Sequence, residues 1–172
     1  ATIAPWREVR PLPAIYATGP DLRETVVLAD GSELMLDLGT EVSVEIGAGS
    51  REIRLLRGQA MFDVAHDASR PFRVTAGGGN VVALGTRFQV SKAADRVEVT
   101  LLQGSVAVEH GKTGERVRLW PNEQAAFAAG GGRIATRSVD PEMASSWTRG
   151  RLLFRATPLS ELVAQVNRYV DR

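Results

Sequence analysis

The sequence predicts a mainly β fold, a two-faced β-sandwich or β-helix-like roll of short, largely antiparallel strands, followed by a truncated C-terminal strand and helix. Runs rich in Val, Leu, Ile and Phe begin at Thr25 and are broken by Gly, Asp, Asn or Ser about every 8 to 12 residues, as in strands joined by hairpins. Within the runs the period is two. Val97, Val99 and Leu101 alternate with Glu98 and Thr100, and Val106 and Val108 alternate with Ser105, Ala107 and Glu109, so one face is expected to be buried and the other wet. An internal echo also relates Ile53-Arg54-Leu55-Leu56-Arg57-Gly58 to Val99-Thr100-Leu101-Leu102-Gln103-Gly104, 46 residues further on. Each copy is expected to end a strand on a double leucine, turn through its glycine, and return as Ala60 to Val64 or Val106 to Val108. Two copies are too few for a solenoid and suit a compact domain with two packed faces.

Taken in order, residues 1–24 hold Pro5, Pro11, Pro13 and Pro20, each of which fixes φ and removes a ladder donor, and predict an extended linker. Residues 25–140 form the expected all-β domain. Its clearest turns are Asp30-Gly31, Gly77-Gly78-Gly79-Asn80, Gly111 to Gly114 and Gly130-Gly131-Gly132, all rich in residues that tolerate positive φ. Residues 141–172 comprise a linker, a strand at Arg151 to Arg155 and a helix. Thr157 is a favoured N-cap and Pro158 a favoured first helical residue. Leu159, Leu162, Val163, Val166 and Val170 then fall on one helical stripe. A strand and a helix with no second strand read as half of a βαβ unit.

Composition narrows the function. The chain has 172 residues, 44% hydrophobic and 24% charged, which suits a globular domain with a real core. A net charge of +1 shows none of the concentrated basic surface of a nucleic-acid binder. Without cysteine there is neither a disulfide framework nor a thiolate metal site. No apolar run of about 18 residues occurs, so nothing in the sequence reads as a membrane helix. The start at Ala1, with no Met and no signal-peptide pattern, is expected of an excised fragment whose anchor lies upstream.

Most catalytic arrangements find no support. His66 and His110 are expected at the surface beside turns, and two histidines do not make a zinc site, so no metal or other cofactor is expected. The triple glycines lie between strands with no helix behind them, unlike a phosphate-binding loop. Asp63, Asp67, Glu98, Glu109 and Glu123 are scattered among turns and solvent faces rather than paired across a substrate. Trp6, Trp120 and Trp147 lie far apart, which disfavours a carbohydrate-binding surface, although a structural or carbohydrate-binding β-domain remains the alternative.

Gly85-Thr86 stands out. If the strand runs unbroken, Val82, Leu84, Thr86, Phe88 and Val90 share one face, and the Thr86 hydroxyl points into apolar surroundings where it must find a partner. A Thr hydroxyl can attack the preceding carbonyl carbon through a five-membered ring and turn the amide into an ester that water cleaves. Glycine before it lets the backbone strain toward that geometry. The other reading is a bulge glycine followed by a β-branched strand residue.

Several stretches resemble the FecR-like transmembrane anti-sigma regulators of Gram-negative bacteria. They are Leu28 to Ser32, Leu56 to Ala65, Arg70 to Val74, Leu84 to Val90, Leu102 to Val106, and Trp147 to Phe154 with Pro158-Leu159 and Asn167-Arg168-Tyr169. Each is short, but six in this order are specific. Where the family usually has Gly in the last β-turn, this chain has Pro121-Asn122-Glu123-Gln124, and Asn also tolerates the left-handed region.

The resemblance implies a periplasmic portion of a single-pass inner-membrane protein. Its partner would be the signalling domain of a TonB-dependent outer-membrane receptor for a ferric siderophore or ferric citrate. Periplasmic proteases would follow, and an extracytoplasmic-function sigma factor would be reached only through a missing cytoplasmic segment. Some relatives self-cleave between the Gly and Thr that match Gly85 and Thr86. The tail resembles the start of a small βαβ module that docks to the receptor, with Leu159, Leu162, Val163, Val166, Arg168 and Tyr169 as its binding residues. Cut short, it is expected to cover Leu159, Leu162, Val163 and Val166 on its own β-domain or through self-association.

Overall fold

The computed structural model describes residues 12–151 and 158–170. The chain enters along β1 (Ala14–Ala17), forms the hairpin β2 (Glu24–Val27) and β3 (Glu33–Leu36), and continues through β4 (Glu41–Ile46) into the long β5 (Arg51–Asp63). Four more hairpins follow: β6 (Phe72–Ala76) with β7 (Gly79–Ala83), β8 (Arg87–Ala93) with β9 (Arg96–Gln103), β10 (Val106–His110) with β11 (Arg116–Leu119), and β12 (Glu123–Ala128) with β13 (Ala135–Ser138). The β2–β3, β6–β7, β10–β11 and β12–β13 turns fall on the predicted glycines, whereas β8 and β9 turn at Ala94-Asp95, with Ala94 at φ 52°. Gly31, Gly77, Gly78, Gly114 and Gly131 have positive φ, and Asn122 takes the same region at φ 70°.

These strands make one sheet folded into two layers, and β5 belongs to both. One layer runs β1-β4-β5-β6-β7-β10-β11 and the other β2-β3-β5-β8-β9-β12-β13. Neighbours are antiparallel except β5 and β6. The core lies between the layers, where Phe62 stacks on Phe88 at 5.1 Å and meets Phe72 edge-on at 6.0 Å. Leu34, Leu36, Ile53, Leu55, Leu101 and Leu119 close around them. Burying each such side chain is worth about 1.5–3 kcal/mol.

Two sequence expectations change here. The echo does not make two equivalent turns. The second copy leaves β9 through Gly104 and returns as β10, but the first runs straight on, with residues 51–57 in one layer and 58–63 in the other. Gly58, at φ 87°, makes the crossing, and a Cβ there would lie 2.6 Å from the Thr40 Cα. The strand finds partners on both sides of that kink, so it never leaves the ladder. The stretch 1–24, expected as a linker, contains β1, which pairs with β4, and Thr18 behind it is buried. Its hydroxyl bonds the Asp37 carbonyl at 2.5 Å. The prolines flank β1 and leave its donors free.

The C-terminal segment lies over the second layer. Asp140 caps α1 (Pro141–Ser145) by accepting from the Glu142 and Met143 amides, with Pro141 at the first turn. A 3-10 turn, Ser146–Arg149, ends at Gly150 in the left-handed region. After Pro158 comes α2 (Leu159–Val170). The strand expected at Arg151 to Arg155 and the Thr157 cap lie outside the described residues apart from Arg151, which is in no strand.

Candidate functional site

Residues 84–86 carry the chain from β7 in one layer to β8 in the other, so the strand is broken where continuity was expected. Val82, Leu84, Thr86, Phe88 and Val90 therefore do not share a face. Val81 and Ala83 point into the core from β7, Leu84 is exposed, and Phe88 and Val90 are buried from β8. A bulge between Arg87 and Phe88 in the pairing with β9 shifts the phase. Thr86 is nevertheless buried, and among the described residues its Oγ1 is the buried side-chain polar atom that has no hydrogen-bond partner. An orphaned buried hydroxyl costs about 1–3 kcal/mol and calls for a reason.

The corner is held from two sides. The Val64 amide donates to the Thr86 carbonyl and the Asp67 amide to the Leu84 carbonyl, both at 2.9 Å. Between those bonds His66 lies against Gly85, where a Cβ would fall 2.7 Å from His66 Nδ1 and 2.9 Å from its Cα. On the other side Gly104, at φ 90°, approaches Thr86. A Cβ on it would lie 2.7 Å from the Thr86 methyl and 3.3 Å from the Gly85 carbonyl oxygen. His66, Gly85, Thr86 and Gly104 line an open cleft of about 790 Å³ together with Arg116 and Arg118.

Sequence reasoning missed what fixes His66. Arg51 and the Asp30 carboxylate are fully buried and paired at 2.9 Å. Arg51 also donates to the carbonyls of Ala65 (2.8 Å), Asp67 (3.3 Å) and Arg70 (2.7 Å), which bracket His66, and its guanidinium lies over the Phe72 ring. Burial works to raise the Asp30 carboxyl, but hydrogen bonds from Ser32 and Arg51 outweigh it and hold the group below the usual carboxylate range. The signal was available: Arg51 is in phase with Ile53 and Leu55, whose side chains face the core.

His110 is not at the surface. It is fully buried, its Nδ1 accepts from the Lys112 amide at 3.2 Å, and its Nε2 therefore donates to the Ala128 carbonyl at 3.0 Å. Its strand-end position faces inward, edge-on to Phe127, and with both nitrogens occupied it pins two hairpins rather than binding a metal. His66 is exposed, as expected. Three of the carboxylates, those of Asp67, Glu98 and Glu123, are engaged locally. Asp67 is held well below its usual range by Ser69 and then Arg70, Glu98 pairs with Arg96 at 3.0 Å, and Glu123 accepts from the Trp120 amide at 2.9 Å. Trp120 is exposed beside Arg118, whereas Trp147 is buried, and Trp6 lies outside the described residues.

A second site joins the tail to the β-domain. The outer face of β5, β8, β9 and β12 carries Gln59, Gln89, Ser91, Thr100 and Gln124, all buried, although Thr100 was expected on the wet face. Trp147 Nε1 donates to Gln89 Oε1 at 2.7 Å. Arg168 donates to Gln59 Oε1 (2.8 Å) and Ser91 Oγ (2.7 Å), Tyr169 donates to Asp37 Oδ2 (2.6 Å), and Arg137 bridges Gln124 and Glu161. Burial and the Asp37 carboxylate push the Tyr169 phenol up, so it remains a donor. A cavity of about 470 Å³ remains beneath α2.

The apolar stripe does not cover itself on the β-domain. Leu159, Val163 and Val170 are 75%, 44% and 66% exposed, and Leu162 and Val166 are half-buried. Arg168 and Tyr169, expected to meet a partner, bond the chain's own sheet. The polar face docks because the sheet beneath it presents hydrogen-bonding groups rather than apolar ones.

Comparison with known proteins agrees with this architecture. The family model described as FecR protein matches residues 14–107. No curated protein sequence matches the chain. Two crystal structures of a Parabacteroides distasonis protein assigned as an anti-sigma factor are similar to it. One has a TM-score of 0.80 at 27% identity and covers 92% of this chain and 75% of that one. The other has a TM-score of 0.80 at 26% identity and covers 92% and 76%. With the family match spanning more than half its length and the same folded β layers in those structures, the chain belongs to the FecR family, as a domain of its anti-sigma regulators.

Proposed function

We propose that this chain is the periplasmic signal-transducing part of a membrane anti-sigma regulator. It receives its signal from the signalling domain of a TonB-dependent outer-membrane receptor engaged in ferric siderophore or ferric citrate uptake. The signal leads to regulated proteolysis by periplasmic proteases and to sigma-factor release through a cytoplasmic segment.

The observation that carries this reading is the orientation of α2. Its polar face is anchored by Arg168 and Tyr169, which leaves Leu159, Val163 and Val170 exposed. A rimmed apolar face of this kind suits a protein partner. The test is isothermal titration of the purified chain with the receptor signalling domain. Leu159→Glu with Val163→Glu is expected to weaken binding more than tenfold. Because both sites are exposed, stability should stay within about 0.5 kcal/mol of the parent. Unchanged affinity would leave a structural β-domain as the better account.

Within this role Gly85–Thr86 is a bond the domain cuts once in itself. The support is the buried, unpartnered Thr86 hydroxyl next to a glycyl carbonyl at a layer crossing. After scission the halves stay joined, because β7 of the first half remains paired with β10 of the second, and β5 of the first with β8 of the second.

A further inference from the structure

We propose that His66 is the general base that hydrolyses the ester formed at Gly85–Thr86. This rests on the self-cleavage reading above and assigns the group that completes it.

The two chemical steps make different demands. In the first, Thr86 Oγ1 attacks the Gly85 carbonyl carbon, a C–O bond forms, the C–N bond breaks, and the hydroxyl proton ends on the freed Thr86 amine. Nothing enters from outside, which suits a hydroxyl sealed from solvent and from every side-chain partner. In the second, water must reach the same carbonyl carbon and surrender a proton as it adds. Water reaches it from the cleft, and there the side chain packed on Gly85 is His66.

His66 is the right chemistry in the right place. The charged side chains lining the cleft are Arg116 and Arg118, which cannot accept a proton. The neighbouring Asp67 carboxylate is taken by Ser69 and Arg70. His66 is exposed, so its proton exchanges with solvent, yet its backbone is fixed. Arg51 holds the carbonyls on either side of it, and the Val64 and Asp67 amides bond the scissile segment itself. In the step assigned here, His66 takes a proton from water as the oxygen adds to the Gly85 carbonyl carbon. The C–Oγ1 bond then breaks, and His66 returns the proton to the departing Thr86 oxygen. The acid's proton passes to the freed amine, so the products are a Gly85 carboxylate and a Thr86 with a protonated amine and a hydroxyl.

The experiment is intact-mass spectrometry of the purified chain under denaturing conditions, with and without prior hydroxylamine, which cuts esters but spares amides. The parent should give two fragments meeting at Gly85 and Thr86, and Thr86→Ala one hydroxylamine-resistant chain. His66→Gln should stay full length, slowed by about 10²-fold in hydrolysis, yet split with hydroxylamine into a Gly85 hydroxamate and the Thr86 fragment. Free imidazole should restore cleavage to His66→Ala, which separates a proton-transfer role from a packing role. Parent-like cleavage of His66→Gln, or a His66→Gln chain that resists hydroxylamine, would overturn the role while leaving self-cleavage standing. A parent chain that neither cleaves nor yields to hydroxylamine would remove both.

Discussion

Gly85 sits where His66 leaves no room for a side chain. Glycine inside an apparent strand serves a close backbone approach here, and the alternation of apolar residues could not reveal the partner, which arrives from a loop about twenty residues earlier held by a buried arginine. The crowding differs sharply from that at Gly19, where an added Cβ meets nothing within 4 Å. Gly85→Ala must push the His66 backbone aside and is expected to lose about 1–3 kcal/mol, as overpacked sites do. Gly19→Ala is expected to change stability by less than about 0.5 kcal/mol. Urea unfolding of the two variants beside the parent decides it, and equal midpoints would contradict the contact.

At the scale of elements, hairpins were legible and crossings were not. A hairpin turn demands positive φ, so Asp30-Gly31 and Gly77-Gly78 announce themselves, as does Asn122 in place of a glycine. A crossing such as Gly58 looks the same in sequence, yet β5 passes through it without ending. Period-two alternation likewise states which residues leave the core but not what then covers them. Thr100 reads as solvent-facing, yet it is buried together with Gln59, Gln89, Ser91 and Gln124 on the face that the tail covers. The α2 stripe leaves the same question open, since an apolar face shows what needs a partner and not which side of the helix meets the sheet. If polar anchors hold α2, Arg168→Ala with Tyr169→Phe should free the helix while sparing the β-layers. Limited proteolysis is expected to cut within residues 158–170 at least tenfold faster, with the main unfolding transition in place. An unchanged cleavage rate would mean that the anchors contribute nothing.

For the whole molecule the consequence of the buried Arg51–Asp30 pair appears in acid. The pair ties the β2–β3 turn to the start of β5 and to the loop before β6, so losing it loosens both layers together. Asp30 and Asp67 both have folded-state pKa values below the ordinary 3.8, so the unfolded chain binds more protons in this range. Their contribution is complete above the ordinary carboxylate value and is lost as pH falls below about 3.8 toward the folded values. In Asp30→Asn the Arg51 charge is buried without its counterion, which is expected to cost about 3 kcal/mol at pH 7. Protonating Asp30 in the parent produces nearly the same neutral group, so the difference between parent and variant should shrink as pH drops from 5 toward 2. Asp67 titrates in both proteins and cancels from that difference. Urea unfolding across this pH range measures it directly, and a gap that stays constant or widens in acid would show that Asp30 is not ionised against Arg51.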